Sequence, residues 1–180
     1  MKIKDLEFKK FISAEKIDAK VKGLAAQINQ DYHDRTPTFL PILNGSFIFA
    51  SDLIKEITIP CRVSFVKISS YQGTQSTGQL KTILGIEESQ FGQDIIIVED
   101  IIDSGLTIQK IMEELKGLGA KSVETVTLLR KKTARQKNVE VKYIGFDLEE
   151  EFVLGYGLDY DGLGRNYKDI YKQLDPALPK

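Results

Sequence analysis

Four aliphatic residues in a row, Ile95-Ile96-Ile97-Val98, run straight into Glu99-Asp100 and then a small polar turn, Asp103-Ser104-Gly105-Leu106-Thr107. An aliphatic run of this length predicts a strand buried on both faces. The two carboxylates are expected where that strand ends. Past the turn, Ile108, Ile111, Met112, Leu115 and Leu118 recur at helical spacing, and Gly117 and Gly119 suit the C-terminal end of that helix.

The same alternation extends along the chain. Ser13 is placed to cap a helix whose Ile17, Val21, Leu24, Ala25 and Ile28 share one face. Thr38 to Leu43 predicts a strand ending at Asn44-Gly45-Ser46, with a helix following through Phe47, Ala50 and Ile54. Arg62 to Ile68 predicts another strand. Ser69 to Gly78 is polar and reads as a long loop, and Leu80 to Leu84 as a short returning strand. Val123 to Leu129 and Tyr143 to Leu148 complete the strand set; beyond Phe152 the chain turns Gly-, Tyr- and Asp-rich and carries no clear pattern. Strands alternating with helices predict an α/β fold, a mostly parallel sheet flanked by helices. In such sheets ligands bind beyond the carboxyl ends of the strands, and every polar cluster named below sits at such an end.

Composition narrows the class. A chain of 180 residues fits one domain, 1–180, and buries roughly 70% of its extended surface. Its net charge of −1 provides no footprint for nucleic acid. One Cys and one His exclude an internal disulfide and argue against a structural zinc site. No window approaches the ~18 apolar residues of a membrane span. A cytoplasmic enzyme with no membrane or nucleic-acid partner is expected. His33 reads as a surface loop residue and Cys61 as a small buried one.

A turn between a parallel strand and a helix offers backbone N–H groups to an anion. Carboxylates beside such a cradle fit a sugar phosphate: the acids hold ribose hydroxyls and a divalent metal, the turn holds the phosphate. Other clusters are ambiguous alone. Asn44-Gly45-Ser46 is a plain turn or a place where backbone approaches an anion. Ser70-Tyr71 lies in what reads as an exposed loop. Arg130-Lys131-Lys132-Thr133-Ala134-Arg135 is a solvated basic loop or an anion contact. Phe152 is a core residue or a stacking platform. Asp103 is a helix cap or an acid/base group.

Val98-Glu99-Asp100-Ile101-Ile102-Asp103-Ser104-Gly105-Leu106-Thr107 resembles the phosphoribosyl-pyrophosphate motif of type I phosphoribosyltransferases, in its hypoxanthine-guanine form. The resemblance runs from about Ser13 to Arg165, with the motifs in family order. It implies that family's fold: a core of about 36–148 and a small hood from about 1–12 and 149–180. It implies transfer of phosphoribosyl from phosphoribosyl pyrophosphate to a 6-oxopurine, with Mg2+ as cofactor and a homodimer or homotetramer as the assembly.

The resemblance also implies roles for individual residues. Glu99, Asp100, Ile101, Ile102, Asp103, Ser104, Gly105, Leu106 and Thr107 bind the phosphoribosyl group, Asp103 also serving as acid/base. Asn44, Gly45, Arg135 and Arg165 face pyrophosphate; relatives often carry Lys or Arg at Asn44, and often a cis peptide before it. Ser70 and Tyr71 belong to a catalytic lid. Lys131 donates to the purine 6-oxo group, Phe152 stacks on the ring, and Val153 offers backbone to the base edge. Glu99, Asp100 and Asp159 are the metal carboxylates. An ammonium is donor-only, so Lys131 suits a 6-oxo group and repels a 6-amino group. A xanthine-preferring relative, an orotate enzyme and a non-catalytic phosphoribosyl-pyrophosphate sensor are the other readings.

Overall fold

The structure, a computed structural model, describes residues 1–70, 80–84, 92–136 and 140–174. Its centre is a sheet in the order β6-β5-β3-β7-β8-β9, with β4 also on β3. The strands are β3 (Thr38–Leu43), β4 (Arg62–Val63), β5 (Val66–Ser70), β6 (Leu80–Leu84), β7 (Asp94–Ile102), β8 (Ser122–Lys131) and β9 (Tyr143–Leu148). All pairings are parallel except β5 with β6. A second, antiparallel sheet joins the two ends of the chain. Its order is β1 (Lys2–Ile3), β2 (Leu6–Ile12), β11 (Ile170–Gln173), β10 (Val153–Leu154), and it forms the expected hood.

Ile96 and Val98 pack in one apolar cluster with α1 (Ala14–Asp31) and α2 (Phe47–Lys55), while Ile95 and Ile97 pack in another with α3 (Leu106–Gly117). β7 is therefore buried on both faces, as its aliphatic run predicts. Helix α1 is capped by Ser13, whose side chain accepts from Lys16 N, and it buries Ile17, Val21, Leu24, Ala25 and Ile28. No helix among the described residues is long and apolar enough to cross a membrane.

Several elements depart from the pattern-based expectation. β7 does not stop before its acids: Glu99 pairs with Thr127, and past Asp100 the pairing with β8 continues at Ile101↔Leu129 and Ile102↔Arg130. Arg62 to Ile68 is split between β4 and β5, which pair with opposite ends of β3. Ser70 closes β5, paired with Leu80, rather than lying in a loop. Lys131 is the last residue of β8, and Lys132–Gln136 forms a short helix, α4. In α2 the buried side chains are Phe49, Ala50 and Leu53, while Phe47 is exposed. Leu118, at the C-cap of α3, is exposed, and Cys61 is only half-buried. His33 is exposed, as expected.

Candidate functional site

The neighbours β3, β7 and β8 run parallel, so their carboxyl ends open on one side of the sheet. β7 brings Glu99 and Asp100 there. Both lie inside β7, where Asp100 is buried and Glu99 half-buried. Glu99 Oε2 is sealed from solvent without a hydrogen-bond partner among the described residues. Burial, and then the neighbouring Asp100 charge, hold the Glu99 carboxyl well above the ordinary carboxylate range. Asp100 is buried too, and burial pushes it up to about 6, against the hydrogen bond it accepts from Ile101 N at 2.9 Å and the Arg165 charge. A partnerless buried carboxylate is costly. Such a pair suits a ligand that brings hydroxyl donors or a cation.

The end of β3 turns at Asn44-Gly45-Ser46. Ser46 is buried and donates its hydroxyl to the Ile42 carbonyl at 2.6 Å, tying the turn to the strand. The Leu43–Asn44 peptide is cis. Gly45 lies directly against the Asp100 carboxylate, where a Cβ has no room. Gly157, at φ +100, lies as closely on the Gly45 carbonyl. Arg165 then donates to the Gly157 carbonyl at 2.5 Å and pairs with Asp159 at 2.5 Å. Two glycines thus stack hood loop, β3 turn and β7 acid in close contact, with an arginine at the end of the stack.

The turn after β7 enters α3 through Gly105, which is buried and holds φ +75 at the N-cap. A left-handed position of this kind favours glycine. Asp103 is therefore not the helix cap; its carboxylate accepts a hydrogen bond from Lys131 Nζ at 2.9 Å. Asp100, Ile101, Asp103, Lys131, Phe152 and Asp159 line one cleft of ≈ 290 Å³, with Val153 and Leu158 beside them. Phe152 is 40% exposed, so it is not a core residue. Within the turn after β7, Ile102 is buried and Ser104 half-buried, while Leu106 and Thr107 are exposed at the start of α3.

The phosphoribosyl transferase domain model matches residues 12–161. The hypoxanthine-guanine phosphoribosyltransferase of Bacillus subtilis strain 168 is 42% identical over 97% of this chain and 96% of its own length. The chain belongs to the hypoxanthine-guanine phosphoribosyltransferases. Solved structures agree with the family. A hypoxanthine phosphoribosyltransferase of Staphylococcus aureus superposes with a TM-score of 0.86 at 39% identity, covering 95% of this chain and 93% of that one. A hypoxanthine-guanine phosphoribosyltransferase of Bacillus anthracis gives 0.85 at 35%, covering 94% and 98%. As a member of this transferase family, the chain has the expected α/β sheet with an antiparallel hood.

Not every residue singled out for this transferase falls in the described cleft. The Ser70 backbone ends β5, and Tyr71 lies outside the described residues. Arg135 is in α4 on the far side of Lys131 in sequence, and its side chain lies outside the described set. Asn44 is exposed at the β3 turn. Lys132, for which sequence suggests no role, pairs with Glu149 at 3.0 Å.

The residues fit a divalent cation in a particular way. Among the described residues no three metal-ligating side chains form a closed cage. Mg2+ is commonly held by one or two carboxylates plus substrate phosphates and waters; Asp100 and Asp159 line the cleft together, and Glu99, next to Asp100 on β7, keeps one sealed oxygen without a partner among the described residues. Asp159 engages one oxygen with Arg165 and the other with the Gly162 N–H at 2.7 Å. A carboxylate accepts at about four positions, so Asp159 retains capacity beside the arginine.

Sequence reasoning gave no role to Glu151 or Leu158, which also line the cleft, nor to Phe8 and Tyr160, whose rings flank Phe152. Phe8 and Phe152 are far apart in sequence and meet only through the β2–β11–β10 pairing, which short-range periodicity does not reveal.

Proposed function

We propose that this phosphoribosyltransferase joins a 6-oxopurine, hypoxanthine and also guanine, to phosphoribosyl pyrophosphate, giving the nucleoside 5′-monophosphate and pyrophosphate. One observation carries the reading: Lys131, Asp103 and Phe152 line the same cleft as buried Asp100. The aromatic face suits a flat base. The ammonium has three donors, so it can reach a 6-oxo group while still bonded to Asp103. The β7–α3 turn suits the 5′-phosphate, and Glu99 and Asp100 suit the ribose hydroxyls.

In the reaction the bond from the ribose anomeric carbon to the pyrophosphate oxygen breaks, and its electron pair leaves with pyrophosphate. Purine N9 supplies the pair for the new C–N bond. The purine's ring proton passes to the Asp103 carboxylate, which stands at the cleft wall. Arg165 and the Gly45 backbone stabilise charge gathering on the leaving group. Phe152 and Lys131 hold the base in line for attack. Glu99, Asp100 and Asp159 would hold Mg2+, which would supply charge neutralisation to the leaving group. Ser70 and Tyr71 are assigned to a segment that excludes water from the activated ribose. Arg135 is assigned to pyrophosphate.

The place of action in this reading is the cytoplasm, and the assembly a homodimer or homotetramer. Phe47, Val63 and Phe65 are large apolar side chains left exposed, which fits burial against a second copy.

Supplying phosphoribosyl pyrophosphate and Mg2+ with hypoxanthine, guanine, xanthine or adenine, and following nucleotide formation, tests the reading. Turnover of hypoxanthine and guanine with little of adenine is expected. Turnover of adenine at the same rate overturns the assignment of Lys131. Binding of phosphoribosyl pyrophosphate without turnover of any base would make the protein a sensor.

A further inference from the structure

Phe152 is 40% exposed and lines the cleft, while two rings pack against it. The Tyr160 ring meets it at 5.7 Å with an interplanar angle of 88°, an edge-to-face contact. The Phe8 ring lies 6.1 Å away at 45°, and Phe8 and Tyr160 are themselves 6.4 Å apart. Phe8 is 1% exposed and sits on β2 opposite Gln173 of β11, whose N–H donates to the Phe152 carbonyl at 2.9 Å. The three rings pack pairwise against one another, and of the three it is Phe152 that lines the cleft.

Tyr160 is tied in turn. Its hydroxyl donates to Asp5 Oδ1 at 2.7 Å, across 155 residues of chain. Asp5 stands in the turn between β1 and β2. The next residue on each side repeats the link, since Lys4 pairs with Asp161. The hydrogen bond from Tyr160 holds Asp5 below the usual carboxylate range, and the same bond raises the Tyr160 phenol. A continuous path therefore leads from the N-terminal hairpin through Asp5 and Tyr160 to the ring that faces the base.

We propose that Asp5, Tyr160 and Phe8 are positioning residues for Phe152, and that the N-terminal hairpin thereby sets the affinity of the base subsite. The inference rests on the assignment of Phe152 to purine stacking. An exposed ring that turns freely loses that freedom when a base stacks on it; a ring already held edge-on has little left to lose. Breaking the Asp5–Tyr160 bond leaves the Gly45-Gly157-Arg165 stack and the Asp159–Arg165 pair in place, so its effect is expected on base binding more than on the pyrophosphate side.

The test uses Asp5→Ala, Tyr160→Phe, their double variant and Tyr160→Leu, with the unaltered protein in parallel. The first two each remove one hydrogen bond at the surface and leave every ring in place. Steady-state KM for hypoxanthine is read at saturating phosphoribosyl pyrophosphate and Mg2+, and the reverse. Asp5→Ala and Tyr160→Phe are each expected to raise the hypoxanthine KM about 3- to 10-fold, with kcat and the phosphoribosyl-pyrophosphate KM within about 2-fold. The double variant is expected to match the larger single effect, because both changes break the same bond. Tyr160→Leu is expected to exceed about 10-fold. An unchanged hypoxanthine KM in all variants, or equal rises in both KM values, overturns the inference, the second by showing only a loosened hood. Multiplicative effects in the double variant overturn the shared path. If Tyr160→Leu fails to fold, the two hydrogen-bond variants and their double still decide. If the unaltered protein turns over no 6-oxopurine, the proposed function itself fails and takes this inference with it; normal turnover with unaffected variants removes this inference alone.

Discussion

Lys131 Nζ donates to Asp103 Oδ2 at 2.9 Å, joining the last residue of β8 to the turn that follows β7. The two side chains assigned to the purine's 6-oxo group and to its ring proton thus hold each other before any base arrives. Lys131 is the more enclosed partner, with 16% of its side chain exposed against 61% for Asp103, so the lysine anchors the carboxylate.

Lys131→Ala is expected to raise the KM for hypoxanthine at least about 10-fold and to lower kcat as well, since Asp103 loses its anchor. Titration calorimetry should find binding of phosphoribosyl pyrophosphate changed by no more than about 3-fold. Equal losses on both sides would contradict the assignment of Lys131 to the base.

Asp103→Asn is expected to cut kcat about 100-fold or more, because the amide cannot take a proton in the transition state. Asn44→Lys is expected to change pyrophosphate affinity by a smaller factor than that. Kinetics of the two variants giving the reverse order would contradict the ranking.

Gly45→Ala forces a methyl carbon into the Asp100 carboxylate. A loss of about 1–3 kcal/mol in thermal or denaturant unfolding is expected, together with weak binding of phosphoribosyl pyrophosphate. Gly157→Ala meets the Gly45 carbonyl and also holds a left-handed φ, so it should cost at least as much. Gly23→Ala provides the contrast. Gly23 lies within α1 with open space around its Cβ position, and alanine there is expected to stabilise by about 0.5–1 kcal/mol.

Asp100 gives a pH prediction. Its carboxyl titrates near 6 in the folded protein against 3.8 when unperturbed. Between those values the folded state holds a proton that the unfolded state has lost, so rising pH lowers stability through that window, and the cost is complete above about 6. Asp100→Asn should therefore stabilise the ligand-free protein by about 1–3 kcal/mol near neutral pH, with the gain shrinking toward pH 4. Urea unfolding at several pH values measures this. A gain independent of pH would assign the effect to packing instead.

Much of this site was legible along the chain, for reasons visible in particular residues. The buried strand and the polar turn into α3 are contiguous, so Ile95 to Thr107 announces both. Ser13 and the α1 stripe are local as well, and α1 folds as its spacing predicts. What misled was local pattern without tertiary context. Glu99 and Asp100 look like residues that end a strand because carboxylates avoid burial, yet β8 pairs past them to Arg130. Phe47 looks like an inward helix residue, but the face of α2 that meets the core is the one carrying Phe49 and Leu53. Of the two roles open to Asp103, acid/base group and helix cap, the second falls to Gly105, with a backbone angle invisible in the sequence. The Phe8-Phe152-Tyr160 triangle depends on residues from opposite ends of the chain and leaves no short-range trace.

The alternation of β7 has a consequence for how this gene product tolerates insertions and deletions. Adjacent strand residues face opposite sides, so a one-residue slip against β3 and β8 moves Glu99 into the place of Asp100 and Asp100 into that of Ile101. Glu99, one methylene longer, would then stand where Asp100 meets Gly45, a place without room for a Cβ on the glycine. The aliphatic run, by contrast, would survive the slip almost unchanged, since Ile95, Ile96, Ile97 and Val98 are nearly interchangeable in size. A one-residue register slip of this segment should therefore leave the protein folded but inactive, and the core would act as a permissive ruler whose fine markings are the two carboxylates at its end.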